Sequence, residues 1–446
     1  MNKIRKILIS LAICVTIIST SIFAADSALV DGTATLETRS SAYMPTSSHR
    51  MAMGSAGLGL GGFYDSYLYN PANLQRDGLK IVLPSISLTV NNIYDLMVVA
   101  EGEENIVDIA QRIESDENAP IDLATLFIKS IPFGYGEILT LDTNVGFKTR
   151  GFGVDLAIQE KLRSYNGGGD YTTASLINET NVVATAALGF NIDFIEDILS
   201  LDIGASGAFA FKTYSIPIDA NSVLNLVSQL DSGGDPGTTF LENIPFASGY
   251  AIPITAGANL NLPLGLSISA VGRNFNGNYN MVGYENLKSL VNNDEIIVAF
   301  AGENVLGDEN STTPVESDEF EVEIPWSLDV GLAFAPSTSL DGLIKAQLAF
   351  DFIDCYGLIN DYINETRTPI QLKSDALASL NVGAQVRLLS LVDIRAGISQ
   401  GYKSVGVGFD LLVLHLDASY YWKEYGEVLG QSSSDSLSVK FSLISK

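Results

Sequence analysis

The chain has 446 residues, a formal net charge of −27 and a mean hydropathy of +0.22. Its acidic charge argues against nucleic acid as a partner, because nucleic-acid binding relies on a basic surface. Charged residues make up only 17% of the chain, against about 25% in ordinary soluble domains, and this composition favours a membrane protein.

The N-terminus has the pattern of a secretory signal peptide. Basic residues open the chain, an apolar run over 7–22 follows, and the small residues Ala24 and Ala25 offer a cleavage site. We therefore expect residues 1–25 to be removed on export. Only Cys355 would then remain, so the exported chain would have no internal disulfide.

Residues 26–78 are predicted to form an N-terminal periplasmic and plug segment. Within it, Met53–Leu74 is rich in glycine and apolar residues and ends in an Asn-Pro-Ala motif. Such a stretch is a poor helix and a poor strand, since glycines cost entropy to order and proline lacks a backbone donor. It therefore needs a surrounding structure that satisfies its backbone. The candidate plug glycines are Gly54, Gly57, Gly59, Gly61 and Gly62, and the candidate plug motif is Asn70, Pro71 and Ala72.

Residues 79–446 are predicted to form a transmembrane barrel. Beyond the signal peptide, the sequence has no apolar run of about 18 residues that could form a membrane helix. Instead, apolar and polar residues alternate with period 2, as they do in Ala378–Leu388. The predicted fold class is all-β, an antiparallel transmembrane β-barrel of about 14 strands with a plug. Most of the predicted strands have about 9 to 11 residues, the length that a tilted strand needs to cross a bilayer. The predicted strands are 79–90, 139–148, 151–160, 182–192, 201–212, 252–262, 266–273, 324–334, 344–352, 378–388, 392–399, 403–410, 414–422 and 437–443.

Long connections alternate with short turns, which is typical of bacterial outer-membrane barrels. Within the long connections, Glu104–Ile113 and Ser222–Leu230 have the apolar spacing of short helices over the barrel mouth. These helices either gather a substrate or only cover apolar loop surface. The acidic loop 274–323 is predicted to be solvated, with a calcium site as the alternative. The predicted external loops are 91–138, 161–181, 213–251, 274–323, 353–377, 400–402 and 423–436.

Two sets of wall residues have predicted roles. Charged residues on the polar strand faces are expected to form ion pairs across the lumen, as structural anchors rather than as selectivity determinants. Aromatic residues near strand ends on the apolar faces are expected to form interfacial girdles. The lumen charges are Arg273, Asp329, Lys345, Arg387 and Arg395, and the girdle residues are Trp326, Phe334, Phe352, Tyr420, Trp422 and Phe441.

Enzyme and cofactor chemistry find little support. The motif Gly57-x-Gly59-x-x-Gly62 matches a dinucleotide fingerprint, but no strand precedes it and no βαβ unit surrounds it, so no cofactor is expected. His415, Asp417 and Ser419 share one strand face, but a triad needs the histidine in the middle. With two histidines and one thiol, no metal site and no catalytic site are predicted.

The segment Met53-Gly54-x-Ala56-Gly57, followed by Tyr69-Asn70-Pro71-Ala72-x-Leu74, resembles the outer-membrane fatty-acid transporter (FadL-type) family. That resemblance implies a glycine-rich plug inside a 14-stranded barrel. Together with Arg395-Ala396-Gly397-x-x-Gln400-Gly401-Tyr402 and Gly406-x-Gly408, the motif also looks like the related TraF-like and PorV-like barrels, which are not clearly transporters. The last strand resembles the C-terminal signal read by the barrel-assembly machinery, although it lacks a terminal aromatic residue.

Two functional hypotheses follow. The first is a passive outer-membrane channel for hydrophobic small molecules such as long-chain fatty acids, with a contiguous apolar pocket between the plug and the loops 91–138 and 213–251. A lumen lined only by paired charges would count against this hypothesis. The second is a non-transporting barrel that docks secretion, conjugation or envelope partners, which a stoichiometric partner and a sealed lumen would favour.

Overall fold

The computed structural model describes residues 43–445, apart from 77, 99–102, 113–115, 117, 132–133, 169, 196–197, 216–217, 221–244, 303–318, 338–341 and 427. The predicted signal peptide and the predicted helix at Ser222–Leu230 lie outside the described residues.

Within the described part of the chain, fourteen antiparallel strands form one closed barrel, as the sequence predicts. Each strand pairs with the next one along the chain, and the last pairs with the first, with Ile86 opposite Phe441. Three of the strands are interrupted and have two parts. The strands are β1 (Lys80–Asn91), β2 (Gly134–Thr149), β3 (Phe152–Asn166), β4 (Ser175–Ile195), β5 (Leu199–Ser215), β6 (Phe246–Ala251 and Ile254–Asn261), β7 (Leu266–Phe275 and Tyr279–Tyr284), β8 (Phe320–Val322 and Ser327–Phe334), β9 (Ile344–Phe352), β10 (Leu380–Leu388), β11 (Val392–Ser399), β12 (Tyr402–Leu411), β13 (Leu414–Glu424) and β14 (Ser433–Ser445). A two-residue strand, Ile218–Asp219, pairs with the start of β4.

Short helices precede the barrel and lie in its long connections. Among the described residues, no helix is long and apolar enough to cross a membrane. The helices are α1 (Ser48–Ala52), α2 (Ser66–Tyr69), α3 (Ile93–Met97), α4 (Ile106–Arg112), α5 (Ala119–Lys129), α6 (Leu287–Asn293), α7 (Glu295–Ala301), α8 (Cys355–Ile363) and α9 (Pro369–Ala378), with 3₁₀ turns at Pro71–Arg76, Tyr171–Thr173 and Pro263–Gly265. Helix α4 confirms the helix predicted at 104–113 as far as it is described.

The strand faces divide as the alternation predicts. In β10, Asn381 and Gln385 are buried inside the barrel, whereas Val382 and Val386 are exposed on its outer surface. The exposed apolar side chains of the other strands, such as Phe190 in β4, lie on the same outer surface. A polar interior and an apolar exterior are the arrangement of a transmembrane barrel.

Some predicted strand bounds differ from those of the structure, for two reasons. Strands β2–β5 have 16, 15, 21 and 17 residues, longer than predicted. The long-loop ends of β2–β4 pack against α3–α5, so both faces are covered there, and even the neighbours Leu176 and Ile177 are both buried. Alternation disappears there, and the sequence signal for β4 starts only at 182. The second reason is proline. Pro253 and Pro325 lie in the gaps that interrupt β6 and β8, because proline has no backbone N–H to donate to a neighbouring strand.

Two loop predictions also need correction. The loop predicted at 274–323 begins later, because the second part of β7 continues to Tyr284. The loop predicted at 353–377 contains the helices α8 and α9, and Ala378, predicted to start a strand, ends α9 instead.

The segment before β1 lies inside the barrel. Helix α1 packs against β11–β14, and the 3₁₀ turn Pro71–Arg76 packs against β4, β5 and β6. Most of its side chains are buried. We call residues 43–76 the plug segment.

Candidate functional site

The Asn-Pro-Ala motif lies at the centre of a buried hydrogen-bond network. Asn70 Nδ2 donates to the backbone oxygen of Leu58 at 2.9 Å and to Asn259 Oδ1 of β6 at 2.8 Å. Its Oδ1 accepts from the backbone nitrogen of Ala72 at 3.1 Å. Pro71 then begins the 3₁₀ turn, where its missing N–H costs nothing. The motif therefore fixes a turn and attaches it to the barrel wall.

The plug glycines meet different requirements. Gly54 has a φ of +62°, and a side chain there would overlap the backbone of Ile398 in β11. A Cβ on Gly59 would lie 2.6 Å from Ser269 Oγ of β7. Gly57 and Gly62 have positive φ, whereas Gly61 packs against the side chain of Arg76.

Glycines of the wall complete this contact, although they are not among the predicted site residues. A Cβ at any of these inward positions would overlap plug atoms, so the plug lies directly on the wall backbone. A glycine on the inward face of a strand is the available signal, because it marks a close approach of another backbone. These glycines and their plug neighbours are Gly204 (Pro71), Gly257 (Asn70), Gly383 (Met53), Gly397 (Gly54) and Gly406 (Ala52).

Gly204→Ala is expected to disturb the close contact between the plug and the wall. Its Cβ would overlap the carbonyl carbon of Pro71 and lie 2.6 Å from Ala72 N. Backbone atoms on both sides leave little room to relax, so we expect a loss of about 1–3 kcal/mol in the free energy of unfolding, as in other overpacked sites. Denaturant titration in lipid vesicles measures the change. Gly207→Ala in the same strand is the matched control, because no atom lies within 4 Å of a Cβ there. Equal stability of the two variants would contradict the prediction.

Polar wall residues also bind the plug backbone. Asp351 Oδ2 in β9 accepts from the backbone nitrogens of Gly57 at 2.6 Å and Leu58 at 3.0 Å. Ser404 Oγ in β12 accepts from Gly54 N at 2.9 Å and donates to the Ala52 oxygen at 3.1 Å. A plug with few regular backbone bonds thus obtains its partners from wall side chains.

Charges link the plug to β14. Lys440 Nζ lies 3.3 Å from Asp65 Oδ2, and both side chains are almost fully buried. His49 stacks on Phe63 with ring centroids 3.9 Å apart. Burial lowers the pKa of the His49 imidazole to about 4, and Asp65 offsets only part of this. The histidine is therefore neutral near pH 7, and Lys440 balances the charge of Asp65.

The predicted lumen charges face the interior and pair mainly along the wall. Arg273 in β7 pairs with Asp329 in β8, and Lys345 lies opposite Arg387 in the β9–β10 register. Arg387 binds Asp393 through two bonds of 2.7 and 2.8 Å. Arg395 links Asp393 to Asp417 and lies with its guanidinium 5.9 Å from the Phe63 ring of the plug. These contacts suit the predicted structural role, which stays a prediction, with a selectivity role as its alternative.

The contacts of His415 and of the acidic loop bear on the catalytic triad and the calcium site considered from the sequence. Asp417 pairs with Arg395, and His415 Nε2 lies 3.5 Å from Asp410 Oδ1. In the acidic loop, Asp294 caps α7 through Ile296 N and Ile297 N. Over the described ranges, no cluster of three or more histidine, cysteine or acidic side chains is arranged to bind a metal. Asp308, Glu309, Glu316 and Asp318 lie outside those ranges.

Between the plug and the long-loop ends of the strands lies a cavity of about 490 Å³. Its lining combines apolar side chains with charges, several of which pair with each other, such as Lys423 with Glu137 at 3.2 Å. The apolar side chains of α3–α5 pack into a core with β2–β4 instead of lining it. The pocket is thus amphipathic, whereas the sequence predicts a contiguous apolar pocket between the plug and the loops 91–138 and 213–251, of which 221–244 lie outside the described residues. Lining residues include Met44, Met51, Tyr69, Ile353 and Tyr421 on the apolar side and Arg50, Glu137, Lys161, Arg273, Asp329 and Lys423 on the charged side.

Comparison with known proteins finds likeness only in structure. No family model matches the chain, and no curated protein matches it. The chain is similar to the CymD monoaromatic hydrocarbon channel (11% identity, covering 90% of this chain and 97% of that one, TM-score 0.41). It is also similar to the Pseudomonas putida toluene transporter TodX, at 9% identity over 91% of this chain and 98% of that one, with a TM-score of 0.38. A Pseudomonas aeruginosa FadL homologue is similar at 10% identity over 90% of this chain and 98% of that one, with a TM-score of 0.39. Its structural neighbours thus include the family that the Asn-Pro-Ala motif resembles. The fold assignment rests on the strand pairing described above.

Proposed function

We propose that this protein is an outer-membrane channel for the passive uptake of hydrophobic small molecules such as long-chain fatty acids. The cavity above the plug carries this proposal, since a volume of about 490 Å³ lies in the range of small-molecule sites. The methionine and tyrosine side chains of the cavity suit the apolar body of such a ligand, and its charged groups suit the polar end of the ligand. Outer-membrane lipid would contact the apolar exterior, and the barrel-assembly machinery would insert the chain.

The plug segment defines the second half of the proposed path. Below the cavity, the turn at Asn70–Ala72 is seated on the wall by hydrogen bonds and close packing. A ligand would enter from the long-loop side, bind in the cavity and leave when the plug shifts. In this step, hydrogen bonds between the plug and the wall would be exchanged for bonds with water.

Uptake by cells that lack their own channel for hydrophobic compounds tests the proposal. We expect faster uptake of radiolabelled oleate with the protein than with an empty vector. Thr140→Trp places a bulky ring in the cavity and should lower this uptake several-fold. Val145→Trp is the matched control, because Val145 lies in the same strand on the exposed outer face. Equal uptake of oleate, toluene and every other hydrophobic probe with and without the protein would overturn the proposal.

The paired charges favour a second candidate, a barrel that docks secretion, conjugation or envelope partners. The network from Arg387 through Asp393 and Arg395 to Asp417 crosses four neighbouring strands beside the plug. Such a network suits a closed lumen. Co-purification of one stoichiometric partner, together with unchanged uptake of all probes, would support this candidate over transport.

A further inference from the structure

The helices α8 and α9 form a hairpin that exposes an apolar stripe. In α8, Tyr356, Ile359 and Ile363 are spaced three and four residues apart and are 42%, 55% and 69% exposed. In α9, Ile370 and Leu377 lie two turns apart and are 76% and 45% exposed. Residues with this spacing share one helix face. We call these five side chains the outer stripe.

The hairpin is folded against the barrel, so this exposure is not that of a loose loop. Asp354 caps α8 by accepting from Gly357 N at 3.0 Å, and its own backbone nitrogen donates to Asp329 of the wall at 2.9 Å. A capping box at Thr368 and Gln371 starts α9, and Ser374 Oγ accepts from Leu429 N at 2.7 Å. The outer stripe therefore has a fixed position relative to the wall.

The stripe begins where the apolar exterior of the barrel ends. Tyr356 stacks on Trp326 with ring centroids 4.1 Å apart, and Trp326 stacks on Phe275 at 5.8 Å. Trp326 lies in the gap between the two parts of β8 and is 39% exposed, in step with the outward-facing Val330 and Leu332. Phe275 folds over Gly272 on the outer face of β7. Aromatic residues at this level mark the boundary between hydrocarbon and headgroups. The α8 end of the stripe thus joins the outward-facing aromatic side chains of the wall at Tyr356.

We propose that the α8–α9 hairpin rests on the external leaflet of the membrane, with the outer stripe inserted among the lipids. An amphipathic helix binds a lipid surface in this way when its apolar face enters the boundary between headgroups and acyl chains. Two acidic residues of the hairpin, Asp361 and Asp375, pair with Arg367 at 3.9 and 3.6 Å, so apolar burial rather than charge attraction drives the contact. This inference is independent of whether the barrel transports anything.

Site-directed fluorescence quenching tests the proposal on the full exported chain in phosphatidylcholine nanodiscs. Cys355→Ser provides a background without the remaining thiol, and an environment-sensitive label is attached at Ile359→Cys, Ile363→Cys or Ile370→Cys. Asn364→Cys in the same hairpin and Asp108→Cys on α4 are the matched controls, since both are exposed polar positions outside the stripe. Quenching is measured with a lipid carrying a nitroxide near its headgroup and with aqueous iodide.

We expect the ratio of lipid quenching to iodide quenching to be several-fold higher at the stripe positions than at both controls. Equal iodide quenching at all positions would overturn the proposal. Shielding of the stripe from both quenchers would also overturn it, because another part of the chain or a second copy would then cover the surface. Heat-modified migration on gels identifies folded variants, and Leu377→Cys replaces any stripe variant that fails this check.

Discussion

A disulfide between the plug and the wall is expected to abolish uptake. Ser48 Oγ on α1 lies 2.8 Å from Ser438 Oγ in β14, and both side chains are buried. Ser48→Cys with Ser438→Cys therefore places two thiols at a separation that a disulfide can close. If a ligand leaves only when the plug shifts, the oxidised variant should lose the oleate uptake given by the protein, and reduction should restore it.

The controls for this experiment are the single Ser48→Cys and Ser438→Cys variants, all in the Cys355→Ser background. They lose the same hydroxyl groups but cannot form the bond, so their uptake should not respond to oxidation. Full uptake by the oxidised double variant, with the disulfide verified by mass spectrometry, would show that the plug does not need to move at α1.

Asp351→Ala is expected to cause the largest loss of stability among single changes at the plug. The carboxylate accepts two backbone N–H groups of the plug, at 2.6 and 3.0 Å, at a position without solvent exposure. Bonds to charged groups are strong, and their loss leaves two buried donors without a partner, so we expect the free energy of unfolding to fall by about 3 kcal/mol. Denaturant titration in vesicles measures this, and protease cleavage near Gly57 should become faster.

Asp351→Asn is the matched variant, because it keeps an acceptor oxygen in nearly the same shape and removes the charge. It should retain part of the stability that the alanine variant loses. If both variants unfold like the unaltered protein, the carboxylate does not secure the plug. The close packing at the wall glycines would then account for the position of the plug.

The motif at Asn70 illustrates how far a local signal reaches. Its residues predict a turn that cannot be a regular helix or strand, and the structure has a 3₁₀ turn there. Its wall partner, Asn259, is 189 positions away in the chain, and nothing near either residue predicts their contact. The same holds for Gly57 and Asp351, which are 294 positions apart. The sequence predicts that a plug exists, but not where it is bound.

The sequence by itself determined the barrel. Lipid outside and a polar lumen inside impose an alternation that each strand shows locally, as β10 does, and short turns alternate with long loops for the same reason. Only the tertiary structure decided which wall residues meet the plug, where β6 and β8 break, and how α8 lies beside Trp326. These features depend on strand register and on contacts between distant segments, which closure of the barrel brings together and no local pattern encodes.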